Sequence, residues 1–254
     1  KVVVAGSFDL NKIFVIDALD GQLYILERHA LKAAAPLGSD KDRDSFLLWI
    51  ETFAERLSNG TYTKNAILTD RPEASVGVNI LPAAGPLMSR SVTRGVEVIA
   101  SAVLAVEAGT HIYSLRIRIL CKGDEGYATE EQRGFLTCQL NTRNWNLQNT
   151  QGGIEQVHGS GVVGKFPLLR EGGYRGDSQS RRCHTNIGVP AHMVDPGKNK
   201  TGTFVYQSQT QAGSLTAFSG HMEFIPGSLR EPSGPPFNVV VNPFPLAMDV
   251  KYIY

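Results

Sequence analysis

The sequence predicts a mainly β protein, in which an all-β sandwich follows a small segment of mixed α/β character. Two observations carry this prediction. From Thr93 onward, short runs of β-branched and aromatic residues alternate with turn signals, and no helical period appears after Leu57. Before Leu57, β-rich runs are followed by one amphipathic stretch with helical spacing.

Residues 1–60 are predicted to begin with two or three short strands. Val2-Val-Val-Ala5 and Ile13-Phe-Val-Ile16 are β-rich runs. Asp20-Gly21 is a strong tight-turn signal before a third run, Gln22-Leu-Tyr-Ile-Leu26. These runs therefore indicate a small antiparallel sheet.

A helix is expected after these strands. Its apolar residues recur at helical spacing, with Glu51 and Glu55 on the other side. Asn59-Gly60 is expected to end it, because glycine is favoured just past a helix. The residues expected to face inward are Phe46, Trp49, Ile50, Phe53 and Leu57.

Residues 61–92 are predicted to be a linker, because prolines interrupt them and no period is sustained. The sandwich is predicted to occupy residues 93–254. Its clearest strand, Ile112–Leu120, alternates in hydrophobicity. Leu115, Ile117 and Ile119 should point inward, and Arg116 and Arg118 outward. Further short strands are expected around the valines of residues 96–106, at Cys138–Asn141, Trp145–Leu147, Phe237–Val241 and Phe244–Leu246.

The composition excludes several classes of function. The 254 residues are 42% hydrophobic and 19% charged, with a net charge of +1, so neither a nucleic acid nor a membrane surface is indicated as a partner. Cys121, Cys138 and Cys183 lack paired or metal-type spacing, which favours free thiols and an intracellular location, cytoplasm or nucleus. The chain does not begin with Met, so we expect it to be a fragment.

One glycine-rich segment, His158-Gly-Ser-Gly-Val-Val-Gly164, satisfies the pattern G-x-G-x-x-G. A dinucleotide-binding turn would need a helix directly after the third glycine, but Pro167 follows closely and nothing helical comes after it. We favour a β-turn or bulge in which glycines supply positive φ. The remaining alternative is a nest of N–H groups that binds an anion. Its candidate residues are His158, Gly159, Gly161, Gly164 and Lys165.

No set of residues in the sequence indicates catalysis, and we expect the protein not to be an enzyme. Ser208 and Ser214 lie in strand or turn contexts without a nucleophile elbow, and Glu130-Glu131 is expected to be a solvated loop. The histidines at 111, 158 and 221 are isolated, where a structural role is the default.

Residues 171–202 are predicted to be a polar insertion that forms a mobile surface loop. The segment contains Cys183-His184, His192 and Asp195, but one thiol with irregular gaps does not match zinc spacing. We therefore expect neither a metal nor any other cofactor.

Three motifs in order resemble the ApaG domain. They are Trp145 followed by Gly159-Ser-Gly-Val-Val-Gly-Lys-Phe-Pro167, then Phe204-Val-Tyr-Gln-Ser208, then Gly220-His-Met-Glu-Phe224. The resemblance implies an immunoglobulin/fibronectin-III-like β-sandwich over residues 93–254. It also implies inward aromatics at Trp145, Phe166, Tyr206 and Phe224.

Residues 1–60 resemble the C-terminal part of a SUKH-type domain through Asp20-Gly-Gln-Leu-Tyr24 and the helix ending at Leu57. A SUKH-like segment before an ApaG domain is similar to plant and algal F-box proteins of the F-box protein 3 class. The segment Phe224–Phe237, with its Pro-Gly-Ser-Leu run, is similar to the plant branch. The chain itself contains no F-box, so a cullin-ligase adaptor is an expected partner only if an F-box precedes Lys1.

The resemblance implies a non-catalytic protein-recognition module, the substrate-binding part of an F-box-type ubiquitin-ligase adaptor. Its target protein is not specified by the sequence. We expect binding at the loops Gly159–Lys165 and Gln211–Ser214. The alternative is a phosphate or nucleotide binder that uses the segment Gly159–Gly164, as in stand-alone ApaG proteins linked to magnesium and cobalt homeostasis.

Overall fold

The computed structural model describes residues 1–6, 12–27, 45–67, 75–79, 81–105, 109–175, 203–211 and 213–246. Its first unit is an antiparallel sheet of β1 (Val2–Gly6), β2 (Lys12–Ile16) and β3 (Leu23–Glu27). The tight turn before β3 is confirmed, with Gly21 at φ +68°. The buried residues Phe14, Leu23 and Ile25 form the centre of this unit.

Helix α1 (Ser45–Ser58) packs on this sheet and ends before Gly60, as the sequence predicts. Phe46 and Trp49 contact the cluster around Phe14, and the ring centroids of Trp49 and Phe14 are 5.1 Å apart. Ile50 was expected to face inward but is 45% exposed. The helix packs instead through Phe46, Trp49, Phe53 and Leu57.

The region predicted to be a linker contains strands. β4 (Thr63–Ile67) and β5 (Ser75–Asn79) pair with each other. β6 (Met88–Thr93) pairs with the strand that follows it, β7 (Val96–Ala105), and is therefore part of the sandwich. The sandwich therefore begins at Met88 and not at Thr93. The sequence hides β6 because an edge strand such as Met88-Ser-Arg-Ser-Val-Thr93 buries little apolar surface and shows weak alternation.

The sandwich consists of a four-stranded and a six-stranded sheet. The four-stranded sheet has the order β13-β8-β7-β6, and in the six-stranded sheet β12-β11-β9-β14-β15 is joined by β10, which pairs with β9. The strands after β6 are β7 (Val96–Ala105), β8 (Thr110–Ile119), β9 (Thr137–Asn149), β10 (Ile154–Ser160), β11 (Leu168–Arg170), β12 (Gly173–Arg175), β13 (Phe204–Gln211), β14 (Leu215–Pro226) and β15 (Phe237–Pro245).

Two expectations about element length and type are corrected. The two short strands expected at Cys138–Asn141 and Trp145–Leu147 are parts of one strand, β9. The short strands expected around the valines of residues 96–106 are likewise one strand, β7. A short helix, α2 (Glu130–Arg133), stands where a charged loop was expected. Thr129 and Gln132 form a capping box at its start, which stabilises one turn too short to show a period.

The core of the sandwich lies between its two sheets. The alternation predicted for β8 is confirmed, since Leu115, Ile117 and Ile119 are buried and the arginines between them are not fully buried. The inward aromatics Trp145, Tyr206 and Phe224 are confirmed, whereas Phe166 is only half-buried. Cys138 is buried in this core, and Cys138 and Cys121 are free thiols as expected.

Helix α1 also contacts the outer face of the four-stranded sheet. Tyr62, Leu81 and Val103 form a buried cluster, against which Phe53 and Leu57 pack. The first unit is therefore joined to the sandwich by apolar contacts.

Among the described residues there is no helix with the length and apolar character needed to cross a membrane. Residues 171–175 complete the β11–β12 hairpin, so this part of the predicted insertion is paired strand and turn. The rest of that insertion, 176–202, lies outside the described residues, as do Cys183, His184, His192 and Asp195.

Candidate recognition site

The glycine segment is a two-residue β-turn at the end of β10. The N–H of Val162 donates to the carbonyl of Lys165, and the N–H of Lys165 donates to the carbonyl of Val162, each at 2.9 Å. The two central residues, Val163 and Gly164, have φ of +48° and +70°, as a type I′ turn requires. The preferred interpretation as a β-turn is confirmed, and strand β11 rather than a helix follows it.

Gly161 occupies a position that no other residue can fill without rearrangement. Its φ is +56°, and a Cβ there would lie 2.6 Å from the carbonyl oxygen of Lys165 and 2.9 Å from the Phe166 ring. Its N–H donates to the carbonyl of Asn141 at 2.8 Å. The glycine therefore lets the turn close tightly under Phe166.

A bulge in β9 brings an arginine to this turn. Leu140 pairs with Phe224 but Thr142 pairs with Glu223, so Asn141 is an extra residue. After the bulge, the inward positions change from even to odd numbers, which places Arg143 on the same face as the buried Trp145.

Arg143 holds the carbonyl groups that precede the turn. Its Nη1 donates to the carbonyl of Gly161 at 2.6 Å and to that of Ser160 at 3.3 Å. Gly159 lies directly opposite in register, and a Cβ there would come within 2.7 Å of the same Nη1. The sequence could not indicate Arg143, because its role depends on the bulge and on the register of β10.

Gln139 joins the turn to a second loop. Its Nε2 donates to the carbonyl of Phe166 at 2.9 Å, and its Oε1 accepts from the N–H of Leu229 at 2.8 Å. Loop 226–234 therefore lies beside the glycine turn. One amide side chain positions both.

The two loops at which binding is expected, Gly159–Lys165 and Gln211–Ser214, lie near opposite ends of β10. The carbonyl of Ser214 accepts from the N–H of Thr150 at 2.7 Å, next to where β10 begins, whereas the glycine turn follows its last residue, Ser160. The loop 211–214 is thus not part of the site around the turn. The loop that contains Leu229 takes its place.

His158 is placed differently from the other predicted site residues. Its Nδ1 lies 2.6 Å from Oδ1 of Asn144, whose Nδ2 lies 3.1 Å from Nε2 of His221. This row runs across three strands on the outer face of the sheet, opposite to the face of Arg143. Gly164 and Lys165 lie in the turn, and Gly161 directly precedes it. Gly159 and His158 belong to strand β10, where the His158 side chain bonds to the neighbouring strand.

Most N–H groups that an anion would need are already used. Those of Gly161, Val162 and Lys165 donate to backbone carbonyls. A nest binds an anion only through N–H groups that converge and are free to donate. The turn therefore offers few of the donors that the anion hypothesis requires.

The catalytic candidates lie apart from one another. Ser208 is in β13, Ser214 is in the turn before β14, and Glu130 and Glu131 are in the first turn of α2. No group of three metal-ligating side chains occurs within the part of the chain that the structure describes. Burial raises the pKa of the Cys138 thiol and of the Tyr113 phenol, so both remain protonated in the core.

The sandwich with its closed glycine turn defines a class of β module that presents rigid loops. A family model described as the ApaG domain matches residues 104–180. The protein ApaG of Xanthobacter autotrophicus is 32% identical over 107 residues, which are 40% of this chain and 74% of that protein. The chain belongs to the ApaG family, and the immunoglobulin/fibronectin-III-like sandwich expected from the motifs is its fold.

Two further relatives are F-box proteins. The chain is 29% identical to the F-box protein SKIP16 of Arabidopsis thaliana over 278 aligned residues, which cover 100% of this chain and 54% of that protein. It is 39% identical to the human F-box only protein 3 over 62 residues, 24% of this chain and 12% of that protein. The chain thus spans about half the length of SKIP16.

Proposed function

We propose that this chain is a non-catalytic protein-recognition module, the substrate-binding part of an F-box-type ubiquitin-ligase adaptor. The observation that carries the proposal is the alignment of the whole chain, and not of the ApaG domain alone, with an F-box protein. The first unit and the sandwich are thus found together in such a protein. An F-box would have to lie outside these 254 residues. The SUKH-like character of residues 1–60 stays a prediction.

The turn supports a recognition role through its strain. Val163 is β-branched, yet it holds φ of +48° and leaves its side chain 40% exposed. A β-branched residue with positive φ is a genuine outlier, and such strain is concentrated at functional sites. An asparagine or glycine would suit the turn better, so a valine here is consistent with a contact that a partner uses.

Capture of partners from an extract of the source organism by the immobilised chain tests the proposal. Val163→Asn removes an exposed valine from the turn and is expected to leave the fold intact, whereas Val240→Asn removes a similarly exposed valine from β15. We expect the set of proteins bound by the wild type to be retained by Val240→Asn and reduced several-fold by Val163→Asn. Equal capture by all three proteins would argue against recognition through this turn.

The anion alternative is tested by titration of the same proteins with pyrophosphate and with nucleotides. If the chain is a protein-recognition module, titration with millimolar pyrophosphate or nucleotide should give no saturable binding heat. Saturable binding that Lys165→Ala abolishes, together with unchanged partner capture, would favour the anion binder instead.

A further inference from the structure

Beside the glycine turn, one part of the outer face of the six-stranded sheet combines positive charge with apolar side chains. Arg175, Leu168, Gln139 and Ile225 are directly opposite one another across β12, β11, β9 and β14. Their shared face is the outer one, because the alternate residues Leu169 and Cys138 are buried in the core. This row and the adjacent Arg170 are called the Gln139 face below.

Among the described residues, no carboxylate pairs with the arginines of the Gln139 face. Arg170 and Arg175 are exposed and have no carboxylate oxygen within 4.0 Å among the described residues, whereas Arg90, Arg118 and Arg133 each form a salt bridge. Arg170 leans across the β11–β12 hairpin, with its Nε 3.5 Å from where a Cβ of Gly173 would be.

Two more cations stand in the loops that Gln139 joins. Lys165 precedes Phe166, and Arg230 follows Leu229, and neither makes a salt bridge among the described residues. Three carboxylates also belong to this region. Glu231 follows Arg230, and Glu223 accepts a hydrogen bond from Nδ2 of Asn141 at 2.6 Å. Glu171 follows Arg170, and it pairs with the buried Arg133 at 3.2 Å. Because the whole chain has a net charge of only +1, this end of the sandwich carries a local excess of positive charge.

Apolar surface lies between these cations. Leu168 is half-buried on the face itself, and Leu229 is 37% exposed in the loop held by Gln139. The amide of Gln139 bonds to both loops through its Nε2 and Oε1, so its role is to hold this surface in place. A surface with an apolar centre and a charged rim matches the usual arrangement of a protein-binding patch.

We propose that the Gln139 face binds an extended acidic peptide segment that places one apolar side chain against Leu168 and Leu229. Charge complementarity selects the acidic residues, and the half-buried leucines select the apolar one. Nucleic acid is a poorer match, because four cations next to three carboxylates neutralise few phosphates. The inference rests on the proposed recognition function and names the chemistry of the segment recognised.

The test is fluorescence anisotropy on the full chain, with a labelled peptide that has one leucine between two pairs of glutamates. We expect saturable binding that weakens as salt increases and is lost when glutamines replace the glutamates. Arg170→Glu and Arg175→Glu should each weaken it about tenfold, about 1.4 kcal/mol. Lys1→Glu, with the same change in net charge on a separate sheet, should change it less than twofold.

Three results would overturn this inference. They are the absence of binding, equal weakening by Lys1→Glu, and tighter binding of a polyuridylate oligonucleotide with the same dependence on the arginines. Leu229→Ala should weaken the peptide about fivefold, and an unchanged affinity would exclude the apolar contact. If the peptide fails but Val163→Asn still reduces partner capture, only the acidic specificity is lost. If neither effect is seen, the recognition function itself fails.

Discussion

At the scale of single residues, backbone conformation decides which positions tolerate change. Gly220 is the extreme case, because its φ is +151° and a Cβ there would lie 2.1 Å from the carbonyl oxygen of Asn144. The pairing register of β14 with β15 also shifts here, between Phe218 and Gly220. The central strand pair β9–β14 can approach closely only because this residue has no side chain.

Gly220→Ala is expected to destabilise the fold by at least about 3 kcal/mol, since the methyl group meets backbone atoms that cannot move away. Urea denaturation would measure the loss. Gly213→Ala is the matched control, because a Cβ there meets nothing within 4 Å and should change stability by less than about 0.5 kcal/mol. A loss of similar size in both variants would contradict the steric argument.

Val163→Asn is expected to stabilise the protein by about 1 kcal/mol, because asparagine adopts positive φ with less strain than valine. A higher midpoint of thermal unfolding would show it. Val240→Asn should instead lower the midpoint, since asparagine is disfavoured in a strand. If both changes lower the midpoint, the strain at Val163 is not significant.

At the scale of elements, the β9 bulge determines the site. The sequence predicts separate strands at Cys138–Asn141 and Trp145–Leu147. The buried residues Leu140 and Trp145 are five positions apart, which breaks the period of two. The structure shows one strand of 13 residues in which Asn141 is the extra residue. The irregular spacing is therefore a signal of the bulge that turns Arg143 toward the glycine turn.

Arg143→Leu is expected to loosen the turn without unfolding the sandwich, because two carbonyls lose a charged donor. Amide hydrogen exchange should accelerate at Gly161 and Lys165 by about tenfold, while amides of the central strand β14 keep their protection. Uniform acceleration throughout the sandwich would mean that Arg143 stabilises the whole fold and not this turn.

At the scale of the whole molecule, the core couples stability to alkaline pH. Burial raises the pKa of Cys138 above its ordinary value of 9.0 and that of Tyr113 above 10.0. In the unfolded chain both groups lose their protons at these ordinary values, while the folded protein keeps them. The free energy of unfolding is therefore at its full value below about pH 9, and it decreases as the pH rises further.

We expect the free energy of unfolding to decrease by up to about 1.4 kcal/mol per pH unit for each of these two groups. Urea denaturation at pH 8, 9.5 and 10.5 would measure it, and Cys138→Ala should remove the first part of the decline at the cost of a small cavity. An identical slope in this variant would show that Cys138 is not responsible.

The mainly β class, the alternation of β8 and the location of the glycine turn could be predicted from the sequence alone. Each of these depends on local properties, namely a period of two, turn residues and the conformational freedom of glycine. The resemblance of its motifs also indicated the ApaG family.

The residues that meet at the site could not be predicted, because they are brought together by long-range strand pairing. The register of Arg143 against β10 and the two hydrogen bonds of Gln139 depend on partners far away in the sequence, and no local pattern encodes such pairings. For the same reason the loop beside the glycine turn proved to be the one containing Leu229. The sequence could locate the turn, but its neighbours were fixed by the register of strands separated by many residues.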